Sequence, residues 1–385
     1  CKRCVISNQR PNSVVEVMHK ETDKKPTTYL DEEGVCSACR FAEIKEKIDW
    51  KDREQRLRKM LDRYRRKDGF YDCIVPGSGG KDSCYVSHIL KYKYGMNPLT
   101  VTWSPHLYTD IGFKNLQNWI YTGFDNILVS PNGKAHRMLT KWAFEKLMHP
   151  FQPFIIGQKN IAPRMSVLHN IPLVMYGESP VEYGNNLEEA ESPIMSLKYF
   201  GGTKDLSKIA LGGVSAEELV KKELLSINDL NPYLPVDMEA LKKVGTEVHH
   251  FSYYYKWDPQ ENYYYAVQNC GFESNTERTE GSYSKYSSID DKIDPFHYFT
   301  TYIKFGLGRA SYDSAQEIRS GKITREEGVE LVKKYDAEFP KKYFKEFLQY
   351  MDISEERFWE LVDRFRSPHL WKKEGGGWKL MYQVS

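Results

Sequence analysis

Four short apolar runs punctuate the middle of the chain: Tyr71-Asp72-Cys73-Ile74-Val75-Pro76, Pro98-Leu99-Thr100-Val101-Thr102-Trp103, Asn126-Ile127-Leu128-Val129-Ser130 and Pro172-Leu173-Val174-Met175-Tyr176. Each has the length of a buried strand. Between them apolar residues recur at helical spacing, first Val86, Ile89 and Leu90, then Met138, Leu139 and Trp142. Strands alternating with helices predict βα units around a doubly wound, mainly parallel sheet. In such sheets ligands gather at the carboxyl ends of the strands, so the residues directly after each run are the informative ones.

The flanks read differently. Residues 1–48 have no sustained helical period and contain Pro11, Pro26 and Gly34, which predicts a small module of loops and short strands. In residues 49–70, Leu57, Met60, Leu61 and Tyr64 fall at i, i+3, i+4 and i+7, the pattern of an amphipathic connecting helix. The α/β domain is expected over 71–205 and a helical region over 206–385. In the latter, Ser215 to Glu218 and Thr324 to Glu327 have the form of capping boxes. Phe344, Phe347, Leu348 and Met351 form one apolar stripe; Phe358, Leu361, Val362 and Phe365 form a second. The tyrosine-rich stretch from Phe251 to Tyr265 has two readings. It is a stacking surface for a sugar or base, or a packed helical surface with wet hydroxyls.

Composition narrows the class. Hydrophobic residues make up 40% of the chain and charged residues 28%, as in ordinary globular proteins. Lys+Arg is 55 against Asp+Glu 53, which disfavours a chain whose task is to coat nucleic acid. No apolar run reaches the roughly 18–20 residues of a membrane span, and Cys1-Lys2-Arg3-Cys4 lacks the apolar stretch of a signal peptide. A cytoplasmic location, with no membrane partner, is the expectation.

In a reducing compartment, paired cysteines bind metal more often than they form disulfides. Cys1-x-x-Cys4 and Cys36-Ser37-Ala38-Cys39 therefore predict a tetrahedral zinc site, with each thiolate about 2.3 Å from the ion. The 31-residue gap between the pairs is long, but Gly34 suits the tight turn of a metal knuckle. Two redox pairs are the alternative. A third reading, Cys1 as an N-terminal nucleophile, leaves Cys4, Cys36 and Cys39 unexplained.

The strongest local signal is Pro76-Gly77-Ser78-Gly79-Gly80-Lys81-Asp82-Ser83, which closes a predicted strand and opens a predicted helix. Glycines let the backbone approach a polyanion, and the helix N-terminus points its positive end at the same place. Ser78 and Ser83 can donate to phosphate, Lys81 adds a positive charge, and Asp82 can hold magnesium. The spacing is not that of a Walker A loop.

Ser78-Gly79-Gly80-Lys81-Asp82-Ser83 resembles the PP-loop signature of ATP pyrophosphatases. The resemblance implies a PP-loop fold, ATP and Mg2+ as co-substrates, and transfer of AMP to a carbonyl-type oxygen. Further segments look like the bacterial N-acetyl sugar amidotransferases. They are Cys1 to Ser7, Gly34 to Cys39, Ile48-Asp49-Trp50, Pro98 to Trp103, His149 to Phe154, Tyr176-Gly177-Glu178, Phe305 to Ala310 and Ile318 to Gly321. That family implies conversion of an acetamido group to an acetamidino group on a nucleotide-linked N-acetyl sugar, for lipopolysaccharide O-antigen or flagellin glycans. ATP, Mg2+ and Zn2+ are the expected cofactors. Cys270 lies in Asn269-Cys270-Gly271-Phe272, which is not a glutaminase elbow. Ammonia is therefore expected from separate glutaminase and cyclase-like subunits.

Catalytic work is expected of Lys81, Asp82, Glu178 and Arg309. Nucleotide contacts are expected from Ser78, Gly79, Gly80, Lys81, Asp82, Ser83, Thr102 and Gly177. Glu178 and Glu182 follow the fourth run and are placed to orient ammonia, accept its proton or bind magnesium; for Glu182 a surface ion pair is the alternative. Arg309 is either a phosphate or carboxylate clamp, or a charged neighbour of a helix cap. Gln158 and Lys159 are candidate pocket residues, and Trp103 shares the end of its strand with Thr102. His149, His249 and His250 are read as structural. Two rival functions share the motif: a tRNA thiolation enzyme, disfavoured by the near-neutral charge, and a non-catalytic ATP-binding scaffold, disfavoured by the intact Lys81 and Asp82.

Overall fold

The computed structural model describes residues 1–11, 27–185 and 187–385. Nine strands occur among them: β1 (Cys73–Pro76), β2 (Pro98–Trp103), β3 (Asn126–Val129), β4 (Leu173–Tyr176), β5 (Ala210–Leu211), β6 (Val214–Ser215), β7 (Glu247–His250), β8 (Trp371–Glu374) and β9 (Gly377–Leu380). The first helices are α1 (Ser37–Lys45), α2 (Trp50–Tyr64), α3 (Lys81–His88), α4 (Asp110–Tyr121), α5 (Gly133–Leu147) and α6 (Gln152–His169). Then come α7 (Ala216–Lys221), α8 (Ile227–Leu230), α9 (Met238–Val244) and α10 (Pro259–Cys270). The C-terminal helices are α11 (Asp294–Phe305), α12 (Arg309–Arg319), α13 (Arg325–Tyr335), α14 (Phe344–Met351) and α15 (Glu355–Arg364).

The central sheet has the order β3-β2-β1-β4-β7, and every pairing in it is parallel. Strands β1 and β4 are apolar on both faces because both are covered. Ile74, Leu99, Val101 and Val174 pack with Leu139 of α5 and Ile161 of α6. The alternate residues Cys73, Val75, Leu173 and Met175 pack on the opposite face, with Leu57 and Leu61 of α2 and Leu90 beyond α3. This is a doubly wound α/β sheet, and all four apolar runs of the sequence are strands in it.

The fifth strand lies beyond residue 205, where the sequence suggested only helices. Glu247-Val248-His249-His250 holds one aliphatic residue and shows no apolar run; pairing with β4 makes it a strand. Helix α10 packs along α3, so the α/β unit also runs past the expected boundary. Two hairpins, β5-β6 and β8-β9, interrupt the otherwise helical C-terminal region.

The tyrosine-rich stretch is largely packing. Phe251, Tyr254 and Trp257 are buried in the core beneath the sheet, and Tyr85 makes edge contacts to Phe251, Trp257 and Tyr265. The Thr324–Glu327 capping box is complete, whereas Ser215 only accepts from the Glu218 amide. The second C-terminal core gathers Phe347, Phe358, Leu361 and Val362 around Phe296 and Phe299 of α11.

Candidate active site

The glycine-rich turn sits between β1 and α3, at the carboxyl end of the central strand. Gly77 donates its amide to the Val101 carbonyl oxygen at 2.9 Å, so the turn leaves the sheet still hydrogen-bonded to it. A Cβ at Gly77 would meet the Ser83 Cβ at 2.1 Å. Gly79 has φ +82°, and a Cβ there would meet the Leu116 Cα at 2.7 Å. Gly80 is the N-cap of α3 and provides no side-chain acceptor, which leaves that helix terminus open to an anion. Ser83 donates its hydroxyl to the Gly80 carbonyl oxygen at 3.0 Å. Lys81 and Asp82 form an ion pair, and Asn262 of α10 donates to Asp82 Oδ1 at 3.0 Å.

Three contiguous cavities meet at this turn. The first, about 420 Å3, has an apolar wall of Val101, Trp103, Phe154, Ile155 and Ile161 beside Gly77, Ser78, Gly80 and Gly177. The second, about 390 Å3, is polar, with Lys81, Tyr183, Tyr286, Arg309, Tyr312 and Gln316 among its lining. The third, about 180 Å3, lies between the turn and Ile289-Asp290. Asp82 lines all three. Glu178 and Tyr298 line both larger ones.

Glu178 follows β4. Burial, and next the neighbouring Asp82 charge, hold its carboxyl above the usual range. Tyr183 donates its hydroxyl to Glu178 Oε1 at 3.0 Å. Arg309 is the first residue of α12 and follows closely on Gly306, the left-handed C-cap of α11. Its Nε donates to Asp313 Oδ1 at 3.0 Å and its Nη1 to the Tyr298 hydroxyl at 2.5 Å. The α12 N-terminus is capped instead by Asp336, which accepts from the Gly308 and Ser311 amides, each at 2.9 Å.

Not every expected residue reaches the site. Thr102 lines none of the three cavities. Its hydroxyl accepts from Asn126 Nδ2 at 3.0 Å, on the face of β2 opposite Val101 and Trp103. Gly79 serves by its backbone turn rather than as a wall. Gln158 lines the apolar cavity, whereas Lys159 lies over the Tyr199 ring, 3.9 Å from its centroid. Glu182 is in a buried ion pair with Lys45. His249 is bonded between Glu247 and Tyr254.

The wall facing the turn comes from the C-terminal half, and sequence reasoning missed it. Asp291 accepts from the His106 amide and from His106 Nδ1, both at 2.7 Å, which pins the 289–294 segment beside the loop after β2. Asp290 and Asp294 thereby line the apolar cavity opposite Ser78. Burial pushes the Asp294 carboxyl up to about 7, although Arg309 pulls it down. Acidic residues at 290, 291 and 294, spaced for the start of a helix, were the available signal.

The four paired cysteines come together. Their sulfur atoms all lie within 4.8 Å of one another. Cys4 and Cys36 are 3.7 Å apart and Cys1 and Cys39 3.9 Å. Four thiolates about 2.3 Å from one central ion stand about 3.8 Å apart, so the group fits a single tetrahedral metal ion. Cys36 and Arg3 direct their amides at the Cys1 sulfur. The group packs against Ala315 of α12 and Val329 and Val332 of α13. The remaining cysteines, Cys73, Cys84 and Cys270, are buried and line none of the three cavities.

A parallel five-stranded sheet with this turn after its central strand defines an α/β protein of PP-loop type, carrying an N-terminal four-cysteine module and a mainly helical C-terminal region. Residues 280–385 match the family model described as LPS biosynthesis protein WbpG-like, C-terminal domain. The match lies within the C-terminal region and is in keeping with the resemblance to PP-loop sugar amidotransferase-like proteins. No curated protein matches the chain. Among solved structures, it is similar to the U34-tRNA thiolase NcsA from Methanococcus maripaludis with its 4Fe-4S cluster. The identity is 13%, the alignment covers 80% of this chain and 88% of that one, and the TM-score is 0.29. No helix among the described residues is long and apolar enough to cross a membrane.

Proposed function

We propose that this protein is an ATP-dependent amidotransferase that converts an acetamido group of a nucleotide-linked N-acetyl sugar to an acetamidino group, in the synthesis of a surface glycan. The observation that carries the reading is the shared wall of Asp82, Glu178 and Tyr298 between an apolar cavity and a polar one. The apolar cavity suits adenine, the glycine turn suits the phosphates, and the polar cavity with its tyrosines and charged groups suits a sugar. A WbpG-like C-terminal domain, from a family described by LPS biosynthesis, supports the glycan assignment.

The chemistry follows from that arrangement. The acetamido oxygen attacks the α-phosphorus of ATP, and the bond to pyrophosphate breaks. The α3 N-terminus and Lys81 stabilise the negative charge that develops there. Asp82 is the side chain placed to hold magnesium, a hard cation that would neutralise charge on the leaving pyrophosphate. Ammonia then adds to the imidate carbon, loses a proton to Glu178, and AMP departs with the former amide oxygen. Burial raises the Glu178 carboxyl above its usual range, the direction that favours accepting that proton.

The ion in the cysteine module is assigned as zinc, because the close-set sulfurs suit one ion better than a larger iron–sulfur cluster. Ammonia is assigned to a separate glutaminase subunit. The Cys270 thiol supports this, being buried and directed at the Cys84 carbonyl oxygen rather than at a cavity. Sulfur transfer to RNA is the weaker reading, since no cysteine among the described residues lines the cavities.

The test is a product assay with ATP, an ammonium salt and a panel of nucleotide-linked N-acetyl sugars. Exchange of oxygen for NH lowers the product mass by about one unit, and AMP should form in equal amount. AMP release stimulated by tRNA, with every sugar unmodified, would overturn the assignment.

A further inference from the structure

Arg10 is only 5% exposed. Among the described residues no carboxylate pairs with it. Its Nη1 donates to the Tyr183 carbonyl oxygen, its guanidinium lies over the Tyr312 ring with the centroid at 5.1 Å, and its Nε has no hydrogen-bond partner there. A buried guanidinium without a counter-ion is unfavourable, so such a group is kept where a ligand provides the charge. Its backbone is held firmly enough to aim it: Thr28 donates to the Arg10 carbonyl oxygen at 2.8 Å, and the Arg10 amide donates to Ser7 at 3.2 Å.

Arg10 lines the polar cavity and neither of the other two. The other cations on that wall are already matched by carboxylates. Lys81 pairs with Asp82, Arg309 with Asp313, and Lys322 with Glu261 and Asp258. Arg10 is therefore the cation of that wall without a carboxylate partner among the described residues, although Glu178 and Glu317 also line the cavity, and it is delivered by the cysteine module rather than by the α/β domain.

Resting on the sugar-acceptor reading above, we infer that Arg10 is the anion-recognising residue of the acceptor cavity, and that the anion is a phosphate group carried by the acceptor. The module is then part of the binding site as well as a structural unit. A guanidinium matches phosphate oxygens in a planar, two-point contact, which an ammonium does not reproduce.

The experiment uses the full chain with its metal, saturated with α,β-methylene-ATP, and calorimetric titration with UDP-N-acetylglucosamine. N-acetylglucosamine serves as the uncharged control. Arg10→Met should weaken the UDP-sugar by at least about tenfold and leave the affinity for the ATP analogue unchanged. Arg10→Lys should fall between the two, and it decides the matter should Arg10→Met fail to fold. Unchanged UDP-sugar affinity in the variants, or no UDP-sugar binding to the wild type, overturns the assignment while analogue binding leaves the nucleotide reading standing. A loss confined to the ATP analogue also overturns it, since the phosphate would then be ATP's own. If the wild type fails to bind the analogue, the nucleotide reading falls and takes this assignment with it.

Discussion

Lys45 and Glu182 form a buried ion pair 2.9 Å apart, which joins the helix of the cysteine module to the turn after β4. Lys45 also donates to the Trp257 carbonyl oxygen at 3.0 Å, and Arg319 to the Glu182 carbonyl oxygen at 3.0 Å. One junction thus ties the module, the α/β domain and α12 together. Removing one partner strands the other charge in the interior, so Lys45→Met should cost about 3–5 kcal/mol of stability. Denaturant titration measures this. The double variant Lys45→Met/Glu182→Leu should recover most of the loss; no recovery would mean that the pair is not the cause.

The phosphate-binding assignment rests on Lys81 and Asp82. Lys81→Ala and Asp82→Ala should each lower the rate of AMP formation by about 100-fold or more. Metal content and melting temperature should stay near wild type, because both side chains face cavities. AMP release by quenched-flow chromatography, with metal analysis alongside, checks both.

In the proposed mechanism Glu178 acts as the ionised base, so the rate should rise with pH through its pKa, which burial holds above the ordinary carboxyl range. The Tyr183 hydrogen bond lowers that pKa. Tyr183→Phe should therefore raise it and move the rising limb of the kcat profile to higher pH, while the backbone oxygen that meets Arg10 remains. Glu178→Gln should abolish the limb and lower kcat by about 10²–10⁴-fold, with ATP-analogue binding retained. A limb that stays in place in both variants would assign the proton to another group.

Trp103 has room beside α6 only because residue 157 is glycine. A Cβ there would meet Trp103 Cζ2 at 2.2 Å. Gly157→Ala should cost about 1–3 kcal/mol through overpacking. It should also weaken ATP-analogue binding, because the displaced indole is part of the apolar wall. Tryptophan fluorescence and a binding titration report the two effects separately.

Cys36→Ser removes one of four clustered sulfurs and should release one equivalent of zinc, measured by mass spectrometry of the metal. The Cys4, Val5 and Val35 surface against α12 and α13 then loses its anchor. A melting temperature lower by about 5 °C or more is expected, since metal binding and folding of such modules are coupled. Retention of a full equivalent of zinc would remove Cys36 from the ligand set.

What the sequence by itself determined is the part encoded locally. Four apolar runs, a glycine turn opening a helix and two C-x-x-C knuckles are each specified within a dozen residues, so their strands, the turn at the helix N-terminus and the sulfur cluster were legible. What only the tertiary structure decided depends on contacts between distant segments. Strand β7 exists because β4 offers it a partner, not because Glu247-Val248-His249-His250 is apolar. Thr102 falls on the wrong face of β2 because side chains alternate along a strand, and the covering helices decide which face meets the cavity. Asp290, Asp294 and Tyr298 face the glycine-rich turn across more than 200 residues of chain, held there by the Asp291–His106 contact. Arg10 reaches the polar cavity only through the docking of the cysteine module. Periodicity carries no record of such placements, because they arise when separate faces are buried against each other.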